Sequence, residues 1–397
     1  MGCKVALGDI CSFSRGASVP RARMFDKGDF LYIHYGDLYK GFNLRIDVEN
    51  PAKPIPYISG DEKIKDSQRL CDQDIVYVLT SETVDDLGHA YLFNNPLDRP
   101  AVSGTETTVV RVERRDLIVP AYLNYLLSTP HFISQLRQYV RGMKVFRVHP
   151  NDVARIEVEL PSISAQKQIV AVLDTIYEKQ QVNAKLNDYL AQLCEAIAEK
   201  YCEAGEVRLG DICHQVTDKA NCEDAKLETY VSTESLLQNK QGRQQASSLP
   251  TTGKVTLYAA GDTLVSNIRP YFKKVWYAPF DGTCSGDVLV FRANEAEDAP
   301  YLHACLRQDR FFDHVMRGAK GTKMPRGDKK QKMEFCVSST CGADDLSLMK
   351  AALNQIAAND AESANLEDLR DTLLPKLMSG EIDVSKVDLT QLNSHLA

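Results

Sequence analysis

The residues best placed to do chemistry in this chain are the cations of three short runs. Residues 317–332 read RGAKGTKMPRGDKKQK, with Arg317, Lys320, Lys323, Arg326, Lys329, Lys330 and Lys332 against a single acid, Asp328. An earlier stretch, residues 137–155, carries Arg137, Arg141, Lys144, Arg147 and Arg155 against Asp152. A third run, NIRPYFKK at residues 267–274, mixes Arg269, Lys273 and Lys274 with aromatic side chains. Lysine and arginine neutralise backbone phosphates and supply the affinity of a DNA interface. They also reach guanine edges in the major groove, as asparagine and glutamine reach adenine. Gly142, Gly318 and Gly321 allow sharp turns or close approach of the backbone to a ligand. The expected DNA-binding set is Arg141, Lys144, Arg147, Arg269, Lys273, Lys274, Lys320, Lys323, Arg326, Lys329 and Lys330.

Catalytic constellations are missing from the sequence. It contains no Walker A loop, no G-x-G-x-x-G, no G-x-S-x-G elbow and no H-E-x-x-H. Asn95-Pro96 continues as Leu97-Asp98 rather than as an aromatic-ended methyltransferase motif. The eight histidines are dispersed, and no Cys/His cluster has metal-ligand spacing. The chain is therefore expected not to be an enzyme, and no metal or cofactor is expected in it. Eleven cysteines without a C-x-x-C suit reduced thiols in the cytoplasm. No apolar run is long enough for a membrane span. A net charge of −7 rules out a protein that is basic all over, but binding depends on where positive charge is placed.

The elements that must position these cations occur twice. KVALGDIC at residues 4–11 returns as EVRLGDIC at residues 206–213. Asp74-Ile75-Val76 corresponds to Asp262-Thr263-Leu264, and Ala90-Tyr91 to Val275-Trp276. Val102-Ser103-Gly104 with TETTVVRV corresponds to Cys284-Ser285-Gly286 with DVLVFRA. Gly142 corresponds to Gly321, and Arg147 to Arg326. In this register the basic 267–274 run faces the acidic TSETVDDLGH of residues 80–89, so two otherwise similar heads would read different sequences. Length and repeat predict an α+β fold of two β-rich globular units and two long antiparallel helices, related by a pseudo-two-fold axis. The expected boundaries are 1–161, a helix at 162–203, a second unit at 204–341, a helix at 342–380, and a flexible tail at 381–397.

The first helix is free of glycine, and both carry heptad-spaced apolar residues. In the first these are Ile169, Val172, Ile176, Leu186, Leu190, Leu193 and Ile197, interrupted by Lys179 and Asn183. In the second they are Met349, Leu353, Ile356, Leu366, Leu369, Leu373 and Leu377, interrupted by Asn359, Asp360, Glu362 and Ser363. A coiled-coil seam along these residues is the expectation.

The repeated L-G-D-I entry combines with VELPSISAQKQIV at residues 158–170, SNIRPYFKKVW at 266–276, CSGD at 284–287 and LLPKLMSGEI at 373–382. Together these resemble the DNA-specificity subunit of type I restriction–modification systems, over nearly the whole chain. Gln166 stands where the family's junction has glutamate, and SSTCGADD at 338–345 replaces a proline-containing junction, which predicts an irregular handoff. The resemblance implies two target-recognition domains, each reading half of a bipartite double-stranded DNA sequence, with helical regions setting the spacing. It implies two modification subunits that carry S-adenosylmethionine, and restriction subunits that use ATP and Mg. Alternatives are a specificity subunit serving a fused nuclease–methyltransferase, or a helical scaffold that binds no DNA.

Overall fold

The computed structural model describes residues 3–39, 42–203, 205–321 and 323–387. The chain divides into two compact units. One is formed by residues up to 179 together with those from 366 onward, the other by residues 180–365. The division falls inside each long helix, Ile163–Glu203 and Ala343–Met378. Each helix therefore belongs partly to one unit and partly to the other.

In the first unit the central sheet orders its strands Cys11–Arg15, Thr108–Val112, Ile75–Tyr77, Ala90–Asn94 and Arg45–Asp47. Only the last pair is parallel. A three-stranded sheet of Tyr57–Ile58, Phe30–Ile33 and Ala101–Ser103 accompanies it. In the second unit the order Cys213–Val216, Val288–Ala293, Thr263–Ser266 and Val275–Tyr277 repeats the first four strands of the central sheet. A second sheet of Lys219–Asn221, Lys254–Tyr258, Gly282–Cys284 and Tyr230–Val231 adjoins it in sequence. These strands are rich in β-branched and aromatic residues, which suit a pleated, buried surface.

Three local devices recur in both units and show why the repeated residues are where they are. Leu7–Ile10 and Leu209–Ile212, the two LGDI segments, each form one helical turn with a buried leucine. The leucine amide donates to Ile156 O (3.0 Å) in one unit and to Phe335 O (2.7 Å) in the other. Cys3–Ala6 pairs with Glu157–Leu160 just as Val207–Arg208 pairs with Cys336–Val337. The third device is a buried carboxylate gripped by an arginine fork. Arg111 Nε and Nη2 donate to Asp74 at 2.9 and 2.7 Å, and Arg292 makes the same pair of bonds to Asp262 at 2.7 and 2.7 Å. Each aspartate also accepts a backbone amide three residues back, from Cys71 (2.7 Å) or Ala259 (2.8 Å). At 1% exposure, neither carboxylate would be tolerated without such partners.

The long helices are anchored by polar bonds at their ends. Ser162 Oγ accepts Ala165 N at 3.3 Å, an N-terminal cap. Gln166, buried, accepts Val119 N and donates to Leu117 O and Pro161 O. An ionised glutamate accepts only, so the amide at this place has a physical reason. The handoff into the second helix is irregular, as its sequence predicts. After Cys336–Val337 the chain is held by Ser338 Oγ on Tyr201 O (2.8 Å) and by Gly342 N on Tyr201 Oη (2.9 Å).

Within the second unit the two helices run antiparallel, since contacts pair rising with falling numbers. Gln180 meets Ser363, Asn183 meets Asn359 and Glu362, Cys194 meets Met349, and Lys200 meets Asp345. Of the heptad residues, Ile169, Val172 and Ile176 in the first unit and Met349, Leu353, Leu366 and Leu377 are buried, Ile169 and Val172 against the first unit's own core, while Leu369 is 38% exposed. Ile356 and Leu373 are half-buried. Beyond Asn183 the heptad expectation needs correction. Leu186 and Leu193 are 38% and 39% exposed, Leu190 and Ile197 are half-buried, and the buried positions are Cys194, Ala198 and Cys202. Small side chains at four-residue spacing let the helix lie close against the unit's core, where Tyr301, Cys305 and Met349 join them.

The expected flexible tail also needs correction over its first part. Val384 is buried, and Ile382 and Val387 pack on the first unit's core. Residues 388–397 lie outside the described residues.

Candidate nucleic-acid interface

In the second unit the strand Thr263–Ser266 continues into Asn267 and Ile268, and the 320–326 segment folds back as a hairpin beside it. Lys320 and Arg326 exchange backbone bonds of 3.0 and 2.9 Å. Ile268 bridges Arg326, Arg269 N donates to Pro325 O (2.8 Å), and Gly327 N donates to Asn267 O (3.2 Å). Two basic runs separated by about fifty residues in sequence are thus brought side by side. The first unit builds the same hairpin. Arg141 and Arg147 exchange bonds of 2.9 and 2.8 Å, and Phe146–Arg147 pairs with Thr80–Ser81. Gly142 sits at φ +113° and Gly321 at φ +102°, the left-handed turn that the sequence spacing anticipates.

The hairpin cations are exposed and weakly held. Arg141 lies 3.3 Å from Asp152, Arg147 3.6 Å from Glu106, Lys320 3.5 Å from Asp328 and Arg326 3.2 Å from Asp287. Each of the four side chains is more than half exposed. Such surface pairs contribute about 0–1 kcal/mol, so a phosphate can replace the carboxylate at little cost. Lys144, Lys323, Lys329 and Lys330 are exposed. The last two open the short helix Lys329–Met333, capped by Asp328, whose carboxylate is held below its usual range by the amides of Gln331 and Lys330.

The 267–274 loop behaves differently: its three expected DNA-contacting cations are half-buried and each meets a partner within the unit. Lys273 Nζ sits 2.9 Å from Asp309. Lys274 Nζ donates to Thr233 O, and burial lowers its pKa. The Arg269 guanidinium lies 6.0 Å from the Phe272 ring centroid. Arg269 and Lys273 take φ values of +49° and +50° on either side of the turn Pro270–Phe272. Lys332, a member of the basic run in sequence, is also inside: it is 1% exposed, and its Nζ donates to Asn267 Oδ1 at 2.5 Å. Burial pushes its pKa down to about 8.

Two exposed side chains beside these cations escaped the sequence reading. Met143, at the tip of the first hairpin, and Tyr271, in the loop of the second unit, both face solvent. The sequence signal for Met143 was its place between Gly142 and Lys144 in a basic turn. A third feature lies on the first long helix. Val182, Leu186, Tyr189 and Leu193 are all exposed, and their spacing of four, three and four residues places them in one stripe.

Residues 3–192 match the family model of the type I restriction modification DNA specificity domain. The first half of this chain is similar to such a domain. Among solved structures, a type I restriction–modification system S subunit from M. genitalium is similar over 95% of this chain and 96% of its own, at 13% identity and a TM-score of 0.56. An HsdS subunit from Thermoanaerobacter tengcongensis covers 96% and 97% at 17% identity, TM-score 0.36. A chain from a study of complex assembly and conformational transition of the type I R-M system covers 96% and 98% at 18% identity, TM-score 0.42. No curated protein matches by sequence. The matched residues run through the first unit as far as residue 179 and on to residue 192 of the first long helix. The likeness to the M. genitalium subunit extends the fold to the second unit. Among the described residues, no helix is long and apolar enough to cross a membrane, and all eleven cysteines are free thiols.

Proposed function

We propose that this chain is the sequence-reading subunit of a type I restriction–modification complex. Each unit reads one half of a bipartite double-stranded DNA target, and each presents its hairpin to the duplex. The observation that carries this is the duplication of an exposed cationic hairpin on an equivalent frame: Arg141, Lys144 and Arg147 in one unit, Lys320, Lys323 and Arg326 in the other. Cations on a two-stranded ribbon suit phosphate contact with the ribbon in the major groove.

The long helices serve as spacers between the half-sites and as docking surfaces for two methyltransferase subunits. The stripe of Val182, Leu186, Tyr189 and Leu193 is the docking surface on the first helix, because a heptad-spaced apolar stripe asks for a helical partner. Methylation of adenine with S-adenosylmethionine then belongs to those partners, and ATP-driven cleavage to restriction subunits. The chain itself contributes recognition and assembly.

Long-read mapping of methylated adenines in the host, with and without this coding sequence, tests the reading. A bipartite methylated motif that disappears with the chain is expected. A methylation pattern unchanged by its removal overturns the reading.

A further inference from the structure

Met143 is the most solvent-exposed large apolar side chain among the described residues, at 93%. It stands at the tip of a hairpin closed by the reciprocal Arg141–Arg147 backbone bonds. Gly142 fixes the tip, since a Cβ there would lie 2.0 Å from Val145 O. Phe146, two residues past Lys144, packs on the unit's core and ties the ribbon down. The thioether is therefore held out in water by a shaped turn, with Arg141, Lys144 and Arg147 around it.

An apolar side chain placed this way buries almost no area within the fold, and covering it with a partner is favourable. The surrounding charge selects a polyanion. A major groove about 12 Å wide admits a two-stranded ribbon. The apolar group on the base edges there is the thymine 5-methyl. Methionine is unbranched and adaptable, which suits a contact with a single methyl group. We propose that Met143 is a specificity-determining residue of the first unit and that its side chain covers one thymine 5-methyl in the major groove. This rests on the DNA-reading function proposed above.

The test uses the full chain in complex with its methyltransferase subunits, on a duplex carrying the motif found by methylation mapping. Each thymine of both half-sites is replaced in turn by uracil, which removes only the methyl group. One position is expected to weaken the parent by about four- to tenfold. The M143A variant is expected to lose a similar factor, to become indifferent to that one replacement, and to keep the parent's salt dependence. Uracil sensitivity unchanged at every position in M143A, or affinity equal to the parent, overturns the assignment. A change in 2-aminopurine fluorescence at one base step that vanishes in M143A also overturns it, since it signals insertion between bases. The K144E/R147E variant separates this from the underlying reading. If it weakens binding while M143A does not, only the thymine contact fails. If neither does, the hairpin is not a DNA interface.

Discussion

The two units share a frame and differ beneath their hairpins. In the first, Val148 N donates to Leu79 O, and Leu79, Val148 and Val153 sit in an apolar core. In the second, the same bond joins Gly327 N to Asn267 O, and the three positions become Asn267, Gly327 and Lys332. A Cβ on Gly327 would lie 2.5 Å from Lys332 Nζ, so the lysine fills the space that a valine side chain would need. The three replacements form one physical unit: a buried amine, its single amide acceptor, and the room to hold both. Duplication preserved the devices that fix the sheets, while the interior directly under the hairpins differs at all three positions together.

The largest effect should come from breaking what the units share. Asp74→Ala and Asp262→Ala each remove the acceptor of two arginine bonds and one backbone-amide bond, and each should cost about 3–5 kcal/mol through the loss of these charge-assisted bonds, read from denaturant midpoints. Similar losses mean that the frame is equivalent; a loss in one unit alone breaks the comparison.

Next comes the difference itself. Lys332 has a folded-state pKa of about 8 against an ordinary lysine value of 10.5. Between those values the unfolded chain binds more protons, so stability should rise as pH increases from about 8 to 10.5, by roughly 3 kcal/mol in all. Below pH 8 the full penalty for burying the charge is present. Asp328 favours the charged form and Lys329 opposes it. Buried thiols such as Cys11 and Cys213, whose pKa values burial pushes up to about 12, oppose this rise. The check is therefore the difference between the pH profiles of Lys332→Met and the parent in thermal unfolding: the Lys332 contribution should vanish from the variant, and parallel profiles would refute it.

The smallest separation is between the hairpins and the inward-turned loop. K323E/R326E should weaken DNA binding and lower the slope of log K against log salt by about 0.9 for each phosphate that is no longer neutralised. Lys273→Ala should leave that slope unchanged while costing about 1 kcal/mol or less of stability. A slope that changes equally in both variants would return the loop to the interface.

Much of this frame was legible in the chain. The LGDI repeat, the aligned Asp74 and Asp262, and the matched arginines marked the duplication, because each is tied to a backbone feature that tolerates few residue types. The faces of the long helices were less legible. Leucines and small residues both recur at three- and four-residue spacing, and only the packing reveals that Cys194, Ala198 and Cys202 go inside while Leu186 and Leu193 stay out. The basic runs misled in a related way. A run of lysines does not say which ones pair within the unit, as Lys273 does with Asp309, or extend into its interior, as Lys332 does beside Gly327. The tail read as polar although Ile382 and Val384 were enough to hold it.

The asparagines that interrupt both heptad patterns carry a mechanical consequence. Asn183 donates to Glu362 at 2.7 Å, Asn187 to Asp360 at 2.7 Å, and Asn359 to Asn187 at 2.7 Å, with Asn183 and Asn359 both buried. Leucine against leucine would tolerate sliding by a turn with modest change in packing. Here the same slip would strand several amides in a dry environment, each at about 1–3 kcal/mol. The paired amides act as a detent, permitting one alignment of the two helices in the second unit and resisting shear along their length.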